Sequence, residues 1–321
     1  MPEHHIGKKF RNLEIASEPT IGDLFHWLFR HRPRPWPKRV KNKKFPPPPA
    51  SVAPGELAVT FIGHSAFLLQ FEHCAVLTDP MFSKRASPLR WAGPKRVRPP
   101  GLRLKNLPHI DLVLLSHDHY DHMDLRSLRR LRRAFNPAVV TGLRNGPLLK
   151  SLKLKTVFEL DWWESCRVND KATVTMTPAQ HFSGRWLWGR DTTLWGGFVL
   201  EMEGWRIFFA GDTGYAKHFK EVGKRFPGVD LALLPIGAYE PLWFLKVEHM
   251  NPAEAVRAHL DVGAQQSIGM HFGTFHLTDE GIKEPVKWLG RARAEKGIAP
   301  EQFRTLEPGE TAVYHRRGTE G

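Results

Sequence analysis

A chain of 321 residues that is 41% hydrophobic can bury a large core, as one big domain or two modest ones. It has no uninterrupted apolar run of about 18 residues, so no segment is expected to span a bilayer, and the opening "MPEHHIGKKFRNLEIASEP" lacks the apolar centre of an export signal, which makes the cytoplasm the expected location. The formal charge of +14 is concentrated in two runs: residues 8–44 carry eleven Lys/Arg against Glu14, Glu18 and Asp23, and residues 84–105 carry eight with no acid, leaving a near-neutral remainder.

In chain order, "TIGDLFHWLFR" sets Ile21, Leu24, Phe25 and Leu28 at the spacing of one helix face, with Thr20 and Asp23 as a capping box. The following "HRPRPWPKRVKNKKFPPPPA" is too rich in proline and positive charge to fold by itself and predicts extended chain. Residues 1–55 therefore read as a basic, proline-rich arm with one amphipathic helix, which docks on the body or lies against a membrane surface. Residues 56–321 read as the body.

From residue 57 the pattern changes to short strands with tight turns, beginning with "ELAVTFIGHSAFLLQFEHCAVLTD". "IDLVLLS" is a buried strand, and "DLRSLRRLRRAF" a helix with Leu125, Leu128 and Leu131 on its inner stripe. Further strands are predicted at "AVVTG", "TVFEL", "ATVTMTP", "GGFVLEM", "WRIFFAGD", "LALLPIG" and "QSIGMHF", with helices near 215–226, 252–261 and 279–296. Two β-rich stretches, each closed by helices, predict an α+β layered sandwich with two sheets in the middle. The chain has no repeat at solenoid periods, although its two halves look related.

The chemistry concentrates in "SHDHYDHMD", residues 116–124, directly after that buried strand. His117 and His119 are two apart, so on extended backbone their imidazoles share a side. Asp121 and His122 sit where the chain turns toward the next helix, and a loop that offers donors in two directions suits two neighbouring cations. More ligands must come from elsewhere. Apolar strands ending in His181, Asp212 and His271 repeat the same grammar and supply them. Each is weak alone, since a polar residue at a strand end is ordinary; the set in this order is specific. Only two cysteines are present, Cys74 and Cys166, far apart and outside any C-x-x-C spacing, which argues against a disulfide framework and a thiolate site. Imidazoles and carboxylates without thiolate suit Zn²⁺, and iron or manganese is also compatible.

With these residues in hand, the chain resembles the metallo-β-lactamase superfamily, whose H-x-H-x-D-H signature reads here as His117, His119, Asp121 and His122. Within it the chain is similar to the N-acyl-phosphatidylethanolamine-hydrolysing phospholipase D family over roughly residues 58–315, through "FIGHSAFLL", "TDPMFSKRASPLRWAGPKRVR", "ELDWWE", "FFAGDTGY", "PIGAYEP" and "HFGTF". The arm is less similar, with "KFRNL" where an Asn-Pro pair is more usual. The resemblance implies a four-layer αββα sandwich and two Zn²⁺ per chain: His117, His119 and His181 on the first, Asp121, His122 and His271 on the second, and Asp212 bridging. A hydroxide shared by two such cations is the implied nucleophile, oriented by Asp121 and Asp212. The resemblance also implies substrate contacts at Tyr120 and His249, for which core packing and a polar helix start are equally good readings. His64 is a candidate support for the metal ligands, or a hydrogen-bonded turn residue, and Asp118 and Asp124 read as supporting or helix-capping groups. Trp162, Trp163, Trp186, Trp188, Trp195 and Trp243 would line an acyl groove or a lipid interface, with at least half of the tryptophans simply core.

Three functions compete on this reading. The first is a zinc-dependent lipid phosphodiesterase that yields phosphatidic acid and N-acylethanolamine, working at an anionic membrane surface, peripheral on the inner face. The second is a soluble lactonase of the same fold acting on a small sugar-like substrate. The third is a nuclease or nucleic-acid binder using the basic arm. The full ligand set and the subfamily stretches favour the first, with no nucleic-acid partner, and the resemblance suggests a homodimer.

Overall fold

The apolar runs become two seven-stranded sheets in the computed structural model, which describes residues 2–14, 22, 33–185 and 189–316. The first sheet runs in the order β16 (Thr311–His315), β3 (Glu56–Gly63), β4 (Ala66–Gln70), β5 (Ala75–Thr78), β6 (Leu112–Leu115), β7 (Ala138–Gly142) and β8 (Val157–Leu160). The second runs β9 (Ser165–Asn169), β10 (Ala172–Thr177), β11 (Gly197–Met202), β12 (Trp205–Phe209), β13 (Leu231–Pro235), β14 (Gln266–Met270) and β15 (Phe303–Arg304). In that order each sheet makes three antiparallel pairings and then three parallel ones, so the two halves share one plan. A small hairpin of β1 (His5–Ile6) and β2 (Lys9–Phe10) precedes them.

The layering explains why "IDLVLL" is apolar at every position. Side chains alternate across a strand, and β6 is covered on both faces. Leu112 and Leu114 enter the core between the sheets, while Val113 and Leu115 pack under α1 (Leu125–Ala134) with Leu128 and Leu131. Leu125 lies at the margin of that stripe, half-buried. On the far side, Val256 and Val262 of α5 (Pro252–Val262) and Leu289 of α6 (Glu284–Glu295) pack into the core to which the second sheet belongs. Three shorter helices, α2 (Gly146–Lys150), α3 (His218–Arg225) and α4 (Leu242–Leu245), fill in between. The result is the expected αββα sandwich.

Helix starts carry their own stop signals. Asp124 caps α1 by accepting from Arg126 N at 3.1 Å. Asn251 and Glu254 form a reciprocal capping box on α5, which ends on Gly263 in the left-handed region. Strands β9, β15 and β16 were not anticipated. β9 is a half-exposed edge strand, and β16 pairs with β3 from the other end of the chain, so neither carries a strong local pattern.

The basic, proline-rich stretch is extended, as expected, but it is laid along the body. Arg34 N donates to Asp279 O, Val40 N to Val97 O and Asn42 Nδ2 to Pro99 O, while Trp36 stacks on His276 at 4.8 Å. The first residues are fixed more firmly. Phe10, 3% exposed, belongs to the inter-sheet core, and both His4 and His5 donate to Asp161 of "ELDWWE" at 2.6 and 2.8 Å. The amphipathic helix predicted at "TIGDLFHWLFR" falls outside the described residues except for Gly22, as do Trp186 and Trp188. Trp162 and Trp195 are core residues and not groove-lining, Trp163 is half-buried under Arg225, and Trp243 is 50% exposed. Phe10→Ala is expected to cost about 3 kcal/mol in chemical unfolding with metal chelated, against under about 0.5 kcal/mol for the exposed Ile6→Ala.

Candidate metal centre

All the predicted ligands sit just beyond the carboxyl ends of strands or in turns at that edge. β6 leads into the 116–124 loop, β10 toward His181, β12 toward Asp212 and β14 directly into His271. The turn to Asp212 is tight. Gly211 has φ +63°, and a Cβ there would stand 2.8 Å from both Gly196 O and Ser116 Cβ, so glycine lets this turn press on the 116–124 loop. His64, Asp79 and His271 also have positive φ, at 63°, 32° and 58°. Three non-glycine residues in that region within one site mark backbone held in place by its surroundings.

Two donor groups form. In the first, His119 Nδ1 stands 2.8 Å from His117 Nε2 and 3.3 Å from His181 Nε2. The partners behind the rings fix which nitrogen faces inward. Ser116 Oγ donates to Asp79 at 2.6 Å and so accepts from His117 Nδ1 at 2.8 Å, leaving a lone pair on Nε2. His181 Nδ1 donates to the Glu248 carbonyl at 2.9 Å, with the same consequence. Burial pushes the His117 and His181 imidazoles well below the ordinary histidine range, so both are neutral donors.

The second group holds Asp121, His122 and His271. His122 Nε2 lies 3.5 Å from Asp121 Oδ2 and 3.1 Å from Asp212 Oδ2; His271 Nε2 lies 3.5 and 2.9 Å from the same two oxygens. Despite these distances, His122 Nε2, His271 Nε2 and Asp212 Oδ1 are buried without a hydrogen bond. They aim at a common point and not at one another, which is how ligands of a cation are arranged. Burial opposes charge on both rings, but the field of Asp212, joined at His122 by those of Asp121 and Asp79, holds His122 well above its usual range and His271 up to about 9. Such a field favours a cation. Asp212 also lies with His181 and His249 in one cluster whose donor atoms fall within 4.8 Å of each other, so its carboxylate is within reach of a ligand from either group. The residues therefore fit two adjacent divalent cations, with His117, His119 and His181 facing one, Asp121, His122 and His271 the other, and Asp212 between.

His64 is buried, and burial together with His271 lowers it to about 3. The neutral ring donates Nε2–H to Asp121 Oδ2 at 2.8 Å and so orients that carboxylate. Asp118 accepts from Gly184 N at 2.7 Å, and Asp124 caps α1. His249 stands beside the metal ligands, its ring 5.0 Å from His181 and 5.5 Å from His271. Tyr120 points elsewhere: its hydroxyl donates to Arg185 O, the Arg185 guanidinium lies 4.1 Å over its ring, and it lines a cavity of about 420 Å³ with Arg126 and Arg129. The His4–His5–Asp161 cluster also has donor atoms close enough for a metal, but its atoms are paired in their own hydrogen bonds, which makes it a clamp on the N-terminus.

Two supporting residues escaped the sequence reading. Asp79, 0% exposed, accepts from Ser116 N, Ser116 Oγ and His122 Nδ1 at 2.8, 2.6 and 2.6 Å, setting the tautomers of His117 and His122 together. It follows β5 as the other ligands follow their strands, so "LTDP" carried the signal. Asn12 grips the His181 peptide from both sides: its Nδ2 donates to His181 O at 2.9 Å, and its Oδ1 accepts from His181 N at 3.0 Å. Nothing near Asn12 in sequence announces this, because its partner is 169 positions away. Asp79→Asn and Asn12→Ala are each expected to weaken metal affinity by about 10–100-fold, measured by chelator competition, with both chains still folded. Wild-type affinity in both variants would refute these roles.

The comparisons agree with this geometry. Residues 75–272 match the beta-lactamase superfamily domain. An uncharacterized protein of Mycobacterium tuberculosis is 44% identical over 238 residues, 73% of this chain and 63% of the relative, so the match spans less than two-thirds of that protein's length. The N-acyl-phosphatidylethanolamine-hydrolyzing phospholipase D 1 of Caenorhabditis elegans is 36% identical over 331 aligned positions, covering 95% of this chain and 92% of the relative. Among solved structures, Igni18, a metallo hydrolase from the archaeon Ignicoccus hospitalis, superposes with a TM-score of 0.62 at 21% identity over 82% of this chain and 100% of its own, a likeness of fold. A domain match over more than half the chain, a relative aligned along nearly all of it and the paired sheets lead to one conclusion: the chain belongs to the metallo-β-lactamase superfamily.

Proposed function

We propose that this chain is a zinc-dependent phosphodiesterase of the phospholipase D type, cleaving N-acyl-phosphatidylethanolamine-like lipids to phosphatidic acid and an N-acylethanolamine. The observation that carries the reading is the placement of Asp212 within reach of both donor groups, which gives the site room for two charges side by side, an arrangement suited to in-line displacement at a phosphodiester. The name of the C. elegans relative supports the lipid substrate. The metal, when bound, would polarise a phosphoryl oxygen and acidify a water.

The chain's own groups account for the rest. Asp212, which would hold metal, would also orient an attacking water through its buried carboxylate. Burial opposes its ionisation, but His122 and His271 outweigh this and hold the carboxylate well below the usual range, so it is ionised when needed. Asp121, steered by His64, orients from the other side. As the water oxygen joins phosphorus, the P–O bond to the ethanolamine oxygen breaks and the departing alkoxide takes up a proton. Burial lowers His249 to about 4, so at neutral pH it is a neutral hydrogen-bond partner suited to an amide or an ester oxygen. Tyr120, turned toward Arg185, would meet the substrate away from its phosphodiester, along the cavity it lines with Arg126 and Arg129.

The reading is tested by product analysis on N-acylated phosphatidylethanolamine beside phosphatidylcholine and a lactone panel. Selective release of N-acylethanolamine is expected, and turnover of lactones alone would replace the reading with the lactonase one. Elemental analysis of fully loaded protein should give two ions per chain. Asp212→Asn should lose bound metal and reduce kcat/KM by more than about a hundredfold; retention of both would undo the bridging assignment.

A further inference from the structure

The two basic runs are far apart in sequence and adjacent in the fold. Val40 N donates to Val97 O at 2.7 Å and Asn42 Nδ2 to Pro99 O at 2.9 Å, which lays the exposed Lys38, Arg39, Lys41 and Lys44 alongside the second run. Glu307 pairs with Lys43 at 3.7 Å and Arg98 at 3.3 Å, countering part of this charge, and residues 84–105 contribute no acid of their own.

Out of this basic face rises a hairpin. Its base is fastened: Arg96 donates to Met81 O and Ser83 O, Arg96 N to Lys84 O and Ala86 N to Pro94 O. Gly93, at φ +90°, lets the two arms close, since a Cβ there would stand 2.6 Å from Ser87 Cβ. The tip is the reverse of a fold's usual economy. Leu89 is 44% and Trp91 77% exposed, with the exposed Arg90 between them, and Trp91 is the most exposed large hydrophobic side chain among the described residues. The hairpin is tied to the catalytic edge, because Ser83 N donates to Asp124 Oδ2 at 3.0 Å and Phe82 N to Ser127 Oγ at 3.0 Å, at the start of the helix that closes the metal loop.

We infer that the 83–96 hairpin and the basic face around it dock this chain on an anionic phospholipid bilayer, with Leu89 and Trp91 entering the interface and the cations meeting the headgroups. An apolar pair ringed by Lys and Arg matches that boundary in both of its layers, since indole favours the headgroup level and positive charge the anionic surface. A purely electrostatic partner such as nucleic acid would leave the exposed leucine without a role. The inference deepens the lipid reading proposed above and rests on it, and it names the surface from which substrate would enter.

The test is co-sedimentation of the metal-loaded full chain with vesicles of phosphatidylcholine containing about one-third phosphatidylglycerol, against phosphatidylcholine alone. Binding is expected only with the anionic lipid and is expected to weaken with salt. The double variant Leu89→Ser/Trp91→Ser should lose about tenfold or more in vesicle affinity, and Arg90→Glu a smaller amount, with unchanged melting temperature and unchanged hydrolysis of the water-soluble bis(p-nitrophenyl) phosphate. Wild-type vesicle binding by the double variant would overturn the inference. So would an RNA oligonucleotide that competes fully with the vesicles and binds both proteins equally. Vesicle binding through the tip without release of N-acylethanolamine would sink the proposed substrate and leave the surface standing; release from detergent micelles with a tip that does not bind would do the opposite.

Discussion

The structure depends on a conflict of like charges. His119 Nδ1 stands 2.8 Å from His117 Nε2 and 3.3 Å from His181 Nε2, so ring lone pairs face one another in a buried volume beside the Asp212 carboxylate, which leans on His122 and His271 at 3.1 and 2.9 Å. Without a cation, such an arrangement is repulsive and poorly solvated. It persists because four of the seven ligands are held from behind. Asp79 sets two imidazoles, Glu248 O sets a third, and His64 sets Asp121. These outer contacts fix the tautomers before any ion arrives, which is how an apo site can be preorganised and still favour metal strongly.

The same requirement gives the N-terminal segment its place. His181 lies four residues beyond the last pairing of β10, just after the isolated bridge of Gln180 with Gly214. Asn12 replaces the missing strand by pairing with both the N–H and the C=O of His181, and Trp195 adds a hydrogen bond to the same Asn12 oxygen at 3.2 Å. Phe10 and the His4–His5–Asp161 clamp anchor that segment in turn. The first residues are thus part of the catalytic edge and not an appendage to it.

Charge is arranged by the same economy. Proline cannot donate a backbone hydrogen bond, so the "PPPP" stretch stays extended and can be laid across the body at little cost in unsatisfied groups. That placement brings one basic run against the other, with Glu307 countering part of the combined charge. Neither run alone has the breadth of a surface; together they make a face beside the mouth of the metal loop. No helix among the described residues is long and apolar enough to cross a membrane.

The sequence by itself determined the central strands, the layers and the metal-seeking residues, because each is written in local pattern, as the edge strands β9, β15 and β16 are not. The period of two in β6, its double burial and the density of "SHDHYDHMD" all lie within a few positions of one another. It also carried Asp79 in plain sight after an apolar strand, although that residue does its work through other side chains. What only the tertiary structure decided is what stands behind and around the ligands. Asn12 meets His181 across 169 positions, Tyr120 turns away from the metals toward Arg185, β16 joins the sheet of β3, and two distant basic runs become one face. Those outcomes are set by which backbone groups are left unpaired once the sheets have closed, and a linear pattern does not contain that information.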